Sequence, residues 1–328
     1  MAFDSAPSAV HLDQLLTNLT LDYVKEQSFI ADRVFPVVDV EKKSDEFYTF
    51  DPAEGNSEGS DEVTLLAPRT TPRKFDVSHG KDSYMAKVYG LAFDIDMQTA
   101  ANEDEQLRVR ERKARLLMNK LLKKRDRDFI ATFMQTGVWG EDLVGTTDFT
   151  KWSDGASTPI DDIMKWKEDF QIRNYGFEVN KIVLTKDIKR HLLTNTQILG
   201  RINGGATIAN PAMINDALIA SIFEVDEIVI ADAVSNTAAV GATEVADYMV
   251  KDKILMTHTP ASAGLETPAS GLIFAWNSIP NVSWGISMET FTDDALRRYQ
   301  IAEEVHGKMA YDMKVVAPKM GTFVSDVV

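Results

Sequence analysis

The sequence predicts an α+β protein organised around one very long helix. Three observations carry that prediction. Apolar residues recur at helical spacing from about Asn102 to Gln135, and a compact series of short buried strands and helices follows. The chain then closes on strand sequence. In "KMAYDMKVVAPKMGTF", Lys308 to Phe323, Tyr311, Met313, Val315 and Ala317 alternate with Asp312, Lys314 and Val316 up to Pro318, the period-two pattern of a half-buried strand.

Residues 1–45 read as an arm. The apolar patches Leu15-Leu16, Phe29-Ile30 and Val34-Phe35-Pro36-Val37-Val38 are short and lack a sustained period, so the segment is expected to lie on another surface. A long hairpin follows. Its strands are expected at Glu46 to Phe50 and Val63 to Ala67, around an acidic, Gly- and Ser-rich tip at Glu54 to Glu62. In the long helix, Leu107, Ala114, Met118, Leu121, Leu122, Phe129 and Phe133 share one face, and Glu103, Asp104 and Glu105 favour its start. At 1.5 Å rise per residue it would run roughly 50 Å, the length of a domain's spine.

After the polar loop "SDGASTP", Asp161 to Asn174 reads as a helix with Ile163, Met164, Trp166 and Phe170 as core residues. "NKIVLT" supplies a buried strand at Lys181 to Thr185, and "KDIKRHLLTN" a helix at Lys186 to Asn195. "IASIFEVDEIVIADA" supplies a short helix and the strand Glu227 to Ala231. "DYMVKDKILMTHTP" and "GLIFAWNS" are further strands. Residues 284–328 return to strand character, interrupted by a charged stretch around Thr292 to Glu304. The sequence contains no internal repeat.

Composition excludes several function classes. The 328 residues are 44% hydrophobic and 26% charged, as in an ordinary folded protein with ample core. The N-terminus lacks the basic start and apolar run of a signal peptide. The most apolar window, Ala217 to Ala231, is broken by Glu224, Asp226 and Glu227, so no membrane span is expected. The absence of cysteine removes disulfides, thiolate metal sites and cysteine nucleophiles, and fits synthesis in a reducing cytoplasm. A net charge of −15 argues against a general DNA-binding protein.

Catalytic motifs are missing. The five histidines, His11, His79, His191, His258 and His306, form no metal-ligand pair, and there is no GxSxG elbow. "GRINGG", Gly200 to Gly205, lacks the Gly-Lys-Ser/Thr ending of a phosphate loop and reads as a mobile loop. In "FDIDM", Asp94 and Asp96 would face one side of a strand, which suits either a divalent cation or two exposed acids on an edge.

One charge feature stands out. Arg108, Arg110, Arg112, Lys113, Arg115, Lys120, Lys123, Lys124, Arg125 and Arg127 are opposed over that stretch only by Glu111 and Asp126, a net +8 on one helix. Such a face is either solvated with weak local ion pairs or a docking surface for an acidic partner. The acidic tip of a neighbouring copy, with Glu54, Glu58, Asp61 and Glu62, is one such partner, and phosphate is another.

The ordered set of arm, long hairpin, charged spine helix, compact α/β unit and returning strand resembles the major capsid protein of tailed bacteriophages, with the HK-97-like fold. The local likeness is carried by "YGFEVNKIVLTKDIKRHLLTNTQILGRI" (Tyr175 to Ile202), "IASIFEVDEIVIADAVSNTA" and "EEVHGKMAYDMKVVAPKMGTF", which are similar to successive units of that family. The resemblance implies an N-arm at 1–45, an E-loop at 46–85, a P-domain at 86–155 and 286–328 with the spine helix at about 102–135, and an A-domain at 156–285. It implies a non-enzymatic protein without cofactor or metal. The candidate inter-subunit contacts are Glu54, Glu58, Asp61, Glu62, Arg108, Arg112, Arg115, Lys120, Lys123 and Arg127.

The implied partners are further copies of the chain, a portal, a decoration protein, packaged DNA in non-specific contact and no membrane. Many relatives begin with a cleaved scaffolding segment of roughly a hundred residues. This chain has no room for one, so either processing has already happened or a separate scaffolding protein is used, and the retained Met1 favours the separate scaffold. Some relatives cross-link through an E-loop lysine. The tip here, Asp51 to Glu62, has none, since Lys42, Lys43 and Lys74 lie outside it, and no cross-link is expected. Two other readings stay open: an encapsulin-type nanocompartment shell around cargo enzymes, and a metal-dependent enzyme using Asp94, Asp96 and His79.

Overall fold

The computed structural model describes residues 11–12, 29–53, 65–66, 68–72, 80–98, 106–203, 215–236, 238, 241–260, 262, 267–278, 284–292, 296 and 299–328. The acidic tip carrying Glu54, Glu58, Asp61 and Glu62, the expected helix start at 102–105, and His79 lie outside these residues.

In chain order the elements begin with β1 (His11–Leu12), β2 (Val37–Val40), β3 (Ser44–Thr49), β4 (Gly80–Met85), β5 (Lys87–Asp96) and the helix α1 (Gln106–Phe133). There follow β6 (Glu141–Val144), α2 (Pro159–Arg173), β7 (Lys181–Thr185), α3 (Lys186–Thr194), α4 (Thr196–Asn203), α5 (Asp216–Phe223), β8 (Glu227–Ala231), β9 (Val234–Asn236), β10 (Ala246–Tyr248) and β11 (Lys253–Thr257). The chain ends with β12 (Gly271–Trp276), β13 (Ser287–Phe291), β14 (Ile301–Val315) and β15 (Gly321–Ser325). Two larger sheets organise them. The first runs β1-β13-β14-β12-β2, with β5 on the other edge of β14, and the second runs β6-β15-β11-β7-β8.

The 28 residues of α1 form the spine, about 42 Å long at 1.5 Å rise. Its inner face, Ala114, Leu117, Met118, Leu121, Leu122, Phe129 and Phe133, is buried against the first sheet, as the helical period requires. On β14 the facing residues are Val305, Gly307, Met309, Tyr311 and Met313, while Glu304, His306, Lys308, Asp312 and Lys314 point to the other side and stay partly exposed. In the second sheet β7, β8, β11 and β15 are buried on both faces. Val183, Val229, Leu255 and Phe323 belong to the spine core, while Ile182, Leu184, Ile228, Ile254 and Val324 belong to a second core with α2, α3 and α5. Burial on both sides is why its strands read as unbroken apolar runs.

Several expectations are corrected. Strand β3 pairs with β4; of the expected partner strand Val63 to Ala67, only Leu65 and Leu66 lie among the described residues, and they are in no strand. The reason is tertiary: Tyr84 of β4 stacks on Phe274 of β12 at 4.4 Å, and Phe47 of β3 joins them at 5.1 Å. Gly200 to Asn203 are the last residues of α4 rather than a loop, because Ile198 anchors that helix in the second core. Residues 29–40, expected to lie as an arm on another surface, are buried in this chain's own spine core or, in β2, pair parallel with β12.

The returning strand starts earlier than expected, at Ile301, and after the turn Pro318–Met320 the chain enters the second sheet as β15. Sheet membership therefore cuts across the ranges drawn from sequence. Strand β12 at 271–276 lies under the spine helix, while β6 at 141–144 and β15 at 321–325 lie in the other sheet.

At Gly307 the helix approaches β14 so closely that a Cβ would run into the Leu117 and Leu121 side chains. A Gly307→Ala substitution is expected to destabilise the fold by about 1–3 kcal/mol through overpacking. The urea midpoint would read this, and an unchanged midpoint would show that the two leucines move aside.

Candidate assembly surface

Two neighbouring features of α1 divide its charge, one turned inward and one outward. The inward feature is a polar anchor. The Asp126 carboxylate accepts the backbone N–H of Ala31 at 3.1 Å and of Ile30 at 3.4 Å. Arg125, also buried, pairs with Asp32, donates to the Trp284 carbonyl at 3.1 Å and lies 4.0 Å from the centre of the Trp284 ring. The anchor fixes residues 29–36, and Phe35 then packs at 4.5 Å from Phe133 and 5.7 Å from Phe129. From the same segment Arg33 pairs with Glu227 of β8 at 2.7 Å, while Lys181 of β7 donates to the Arg33 carbonyl at 2.6 Å. The strap therefore ties the spine helix to the second sheet.

Burial pushes the Asp126 carboxyl up to about 7, against the two N–H donors and Arg125, which favour its charged form. Burial likewise raises Asp32, opposed by Arg125. Counting charges along the sequence had placed Arg125 and Asp126 in the surface run. The missed signal is their spacing: Met118, Leu122, Arg125, Phe129 and Phe133 follow one another at four, three, four and four residues, along one buried stripe.

The outward feature contains the basic residues singled out from sequence. Arg112, Arg115, Lys120 and Arg127 are exposed and Lys123 is half-buried, and among the described residues none makes an ion pair or hydrogen bond. Their spacing sets them along one face of the helix, about 22 Å from Arg112 to Arg127 at 1.5 Å per residue. Leu116, 55% exposed, lies within the stripe. Arg108 lies in the first turn of α1, and its side chain is outside the description.

The remaining basic residues serve the fold. Arg110 pairs with Glu303 at 3.3 Å and donates to Thr290 at 3.1 Å, Lys113 donates to the Asp94 carbonyl at 2.7 Å, and Lys124 pairs with Asp128 and lies 4.8 Å from the Tyr89 ring centre. Asp94 and Asp96 are exposed on the same side of β5, as the strand period requires. Among the described residues no group of three or more His, Asp or Glu side chains is placed to hold a metal ion, and no helix is long and apolar enough to cross a membrane.

No protein-family model and no curated protein matches the sequence. Solved structures match along nearly the whole chain. A phage-related protein from Bordetella bronchiseptica superposes with a TM-score of 0.70 at 16% identity, covering 97% of this chain and 98% of that one. The capsid of cyanophage P-SCSP1u gives 0.54 at 14% identity, covering 91% and 88%. The fold is the HK-97-like capsid fold. The SrpI encapsulin of Synechococcus elongatus is similar too, with a TM-score of 0.53 at 10% identity, covering 92% and 89%. In this HK-97-like chain the spine helix thus carries both the anchor that holds the strap and a stripe that has no ion-pair partner among the described residues.

The anchor makes stability depend on pH. The folded state holds a proton on Asp126 up to about pH 7, whereas the unfolded chain releases it near the ordinary value of 3.8. Between those values the folded state binds more protons, so this contribution falls as pH rises from about 4 to about 7 and is level above. Thermal midpoints from pH 5 to 8 should decline in the wild type and decline less in Asp126→Asn. Equal slopes would mean that Asp126 does not titrate there. Asp126→Ala, which strands two buried N–H groups, is expected to cost about 1–3 kcal/mol at either end of that range.

Proposed function

We propose that this chain is the major capsid protein of a tailed bacteriophage, assembling into hexamers and pentamers that close an icosahedral head around double-stranded DNA. The observation that supports the reading is similarity in one fold along 97% of this chain and 98% of a phage-related protein, with a phage capsid matched over 91%. The role is structural, without a catalytic step or cofactor. In this reading 46–85 form the E-loop, the P-domain is built on α1 and the first sheet, which includes β12, and the A-domain is built on the second sheet, which includes β6 and β15. Assembly takes place in the host cytoplasm with a separate scaffolding protein, a portal and a decoration protein, and the finished virion holds DNA by non-specific contact.

The contacts that close the shell pair the acidic tip of one copy (Glu54, Glu58, Asp61, Glu62) with the spine stripe of another (Arg108, Arg112, Arg115, Lys120, Lys123, Arg127). A single exposed ion pair is worth about 0–1 kcal/mol and weakens with salt. Repetition over many copies, rather than any one pair, would stabilise the shell. A second reading, an encapsulin-type shell around cargo enzymes, is favoured by the similarity to the SrpI encapsulin.

Expression alone and with genomic neighbours, followed by negative-stain electron microscopy, tests the reading. Closed shells or hexamer and pentamer rings are expected, and small discrete oligomers in every preparation would overturn it. Nuclease-protected DNA inside the particles marks the phage head, whereas a co-purifying enzyme marks the nanocompartment. Arg112→Glu combined with Arg115→Glu should block assembly and leave a folded subunit. Mature particles should run as intact single chains on a denaturing gel, and a ladder would reveal the cross-link.

A further inference from the structure

We infer that residues 29–36 form a proton-gated latch, closed over the spine helix while Asp126 holds its proton and increasingly released as that carboxyl ionises. The inference stands on the fold and does not require the shell reading. The segment is held by side chains rather than by a strand ladder. The Ala31 and Ile30 N–H groups donate to Asp126 at 3.1 and 3.4 Å, and the Arg33 and Val34 carbonyls accept from Lys181 Nζ at 2.6 and 3.4 Å. Ladder pairing begins beyond Pro36, whose carbonyl accepts the Ile273 N–H at 3.2 Å and after which β2 runs along β12. Pro36 therefore marks the fixed end of the latch, and the side nearer Ile30 is the end that lifts.

Inside the latch the charges balance in only one protonation state. Arg125, beside Asp126 on α1, pairs with Asp32 of the strap and donates to the Trp284 carbonyl at 3.1 Å. From β14 the cluster is faced by Tyr311, whose buried phenol stays neutral and donates to Asp128 at 2.8 Å, and Asp128 is paired in turn with Lys124. At the far end Lys181 of β7 and Glu227 of β8 face Arg33. With Asp126 neutral, one guanidinium faces one carboxylate. With Asp126 ionised, the same guanidinium faces two, and both Arg125 and Asp126 are shut off from water. The Arg125 Nε–H is also buried, without a hydrogen-bond partner among the described residues. Lifting the strap gives up the apolar burial of Phe29, Ile30, Val34 and Phe35, which keeps the latch closed in most molecules, but it admits water to all of these polar groups.

Proton linkage sets the direction. The closed latch holds the Asp126 proton up to about pH 7, whereas an open one releases it near the ordinary value of 3.8. Closure therefore binds protons, and opening grows as pH rises between those values and is level above about 7. Burial raises the Asp32 carboxyl in the same sense.

Thermal midpoints read the whole fold, so the latch needs a local measurement. Amide exchange of the soluble full-length chain from pH 5 to 8, corrected for the intrinsic pH dependence of exchange, supplies it. The Ile30 and Ala31 amides are expected to open at least about tenfold more often at pH 7 than at pH 5, and to level off above, since one linked proton changes an opening equilibrium up to about tenfold per pH unit. Hydrogen-bonded amides at the centre of β14, around Met309, should lack that rise, and Asp126→Asn should give a strap whose opening no longer follows pH. A flat wild-type profile overturns the inference. An equal rise around Met309 also overturns it, because the strap then opens only when the whole chain unfolds, and so does an undiminished rise in Asp126→Asn. If that variant does not fold, the carboxyl carbon-13 shift of Asp126 in the wild type decides: titration near pH 7 together with the local rise supports the latch, and titration near 3.8 overturns it.

Discussion

A polar anchor buried on the inner side of the spine helix is the constraint on which the rest of the molecule depends. Arg125 and Asp126 are buried on this helix, and taking a guanidinium ion and a carboxyl group out of water is costly unless both find partners. Replacement partners come from parts of the chain far apart in sequence: the Ile30 and Ala31 amides, the Asp32 carboxylate, and the ring and carbonyl of Trp284. Neither the strap at 29–36 nor the segment at 284 can leave without stranding a buried polar group. With the strap held, Phe35 enters the ring cluster with Phe129 and Phe133, and Arg33 reaches Glu227 on the second sheet. A hydrophobic pair at 125 and 126 would pack at least as well, but it would not select which segment docks there.

The end of the chain completes the second sheet in a comparable way. Strand β15 lies between β6 and β11, in the interior of that sheet, yet it is the last strand made. Before it, the same stretch of chain spends fifteen residues in the first sheet as β14. Trp139 helps position the crossing. Its indole N–H donates to the Phe133 carbonyl at 2.6 Å, at the end of α1, and its ring lies against Gly321, where a side chain would collide with it. Both sheets therefore depend on pairings between distant parts of the sequence, the kind of topology that forms slowly.

Local physics was largely readable in the sequence, and distant pairing was not. The strands Lys181–Thr185 and Glu227–Ala231 and the inner face of α1 announce themselves because burial is recorded in the residues of the element itself. The partner of β3 does not, since "GKDSYM" has one buried residue, Tyr84, whose cover comes from Phe274 nearly two hundred positions away. The strap resembles an arm in sequence for the same reason: its apolar residues have no period of their own and fit a ring cluster built by α1. On the helix, a count of charges hid what spacing contained, because Arg125 and Asp126 were added to the surface total.

That mistake also clarifies what the basic run is for. A charge used in folding is matched within its own chain, as Arg110 is by Glu303, Lys124 by Asp128 and Arg125 by Asp32. Among the described residues the outward set has no such match, although the chain as a whole carries a net charge of −15 and so holds acids in excess. An isolated subunit gains nothing from keeping five like charges within about 22 Å of one helix face, because neighbouring like charges at helical spacing are mildly destabilising. The arrangement makes physical sense when the opposing charge arrives on another molecule. Under the proposed shell reading the same helix then has two functions separated by its own period: the buried stripe fixes how one chain folds, and the exposed stripe is where chains meet.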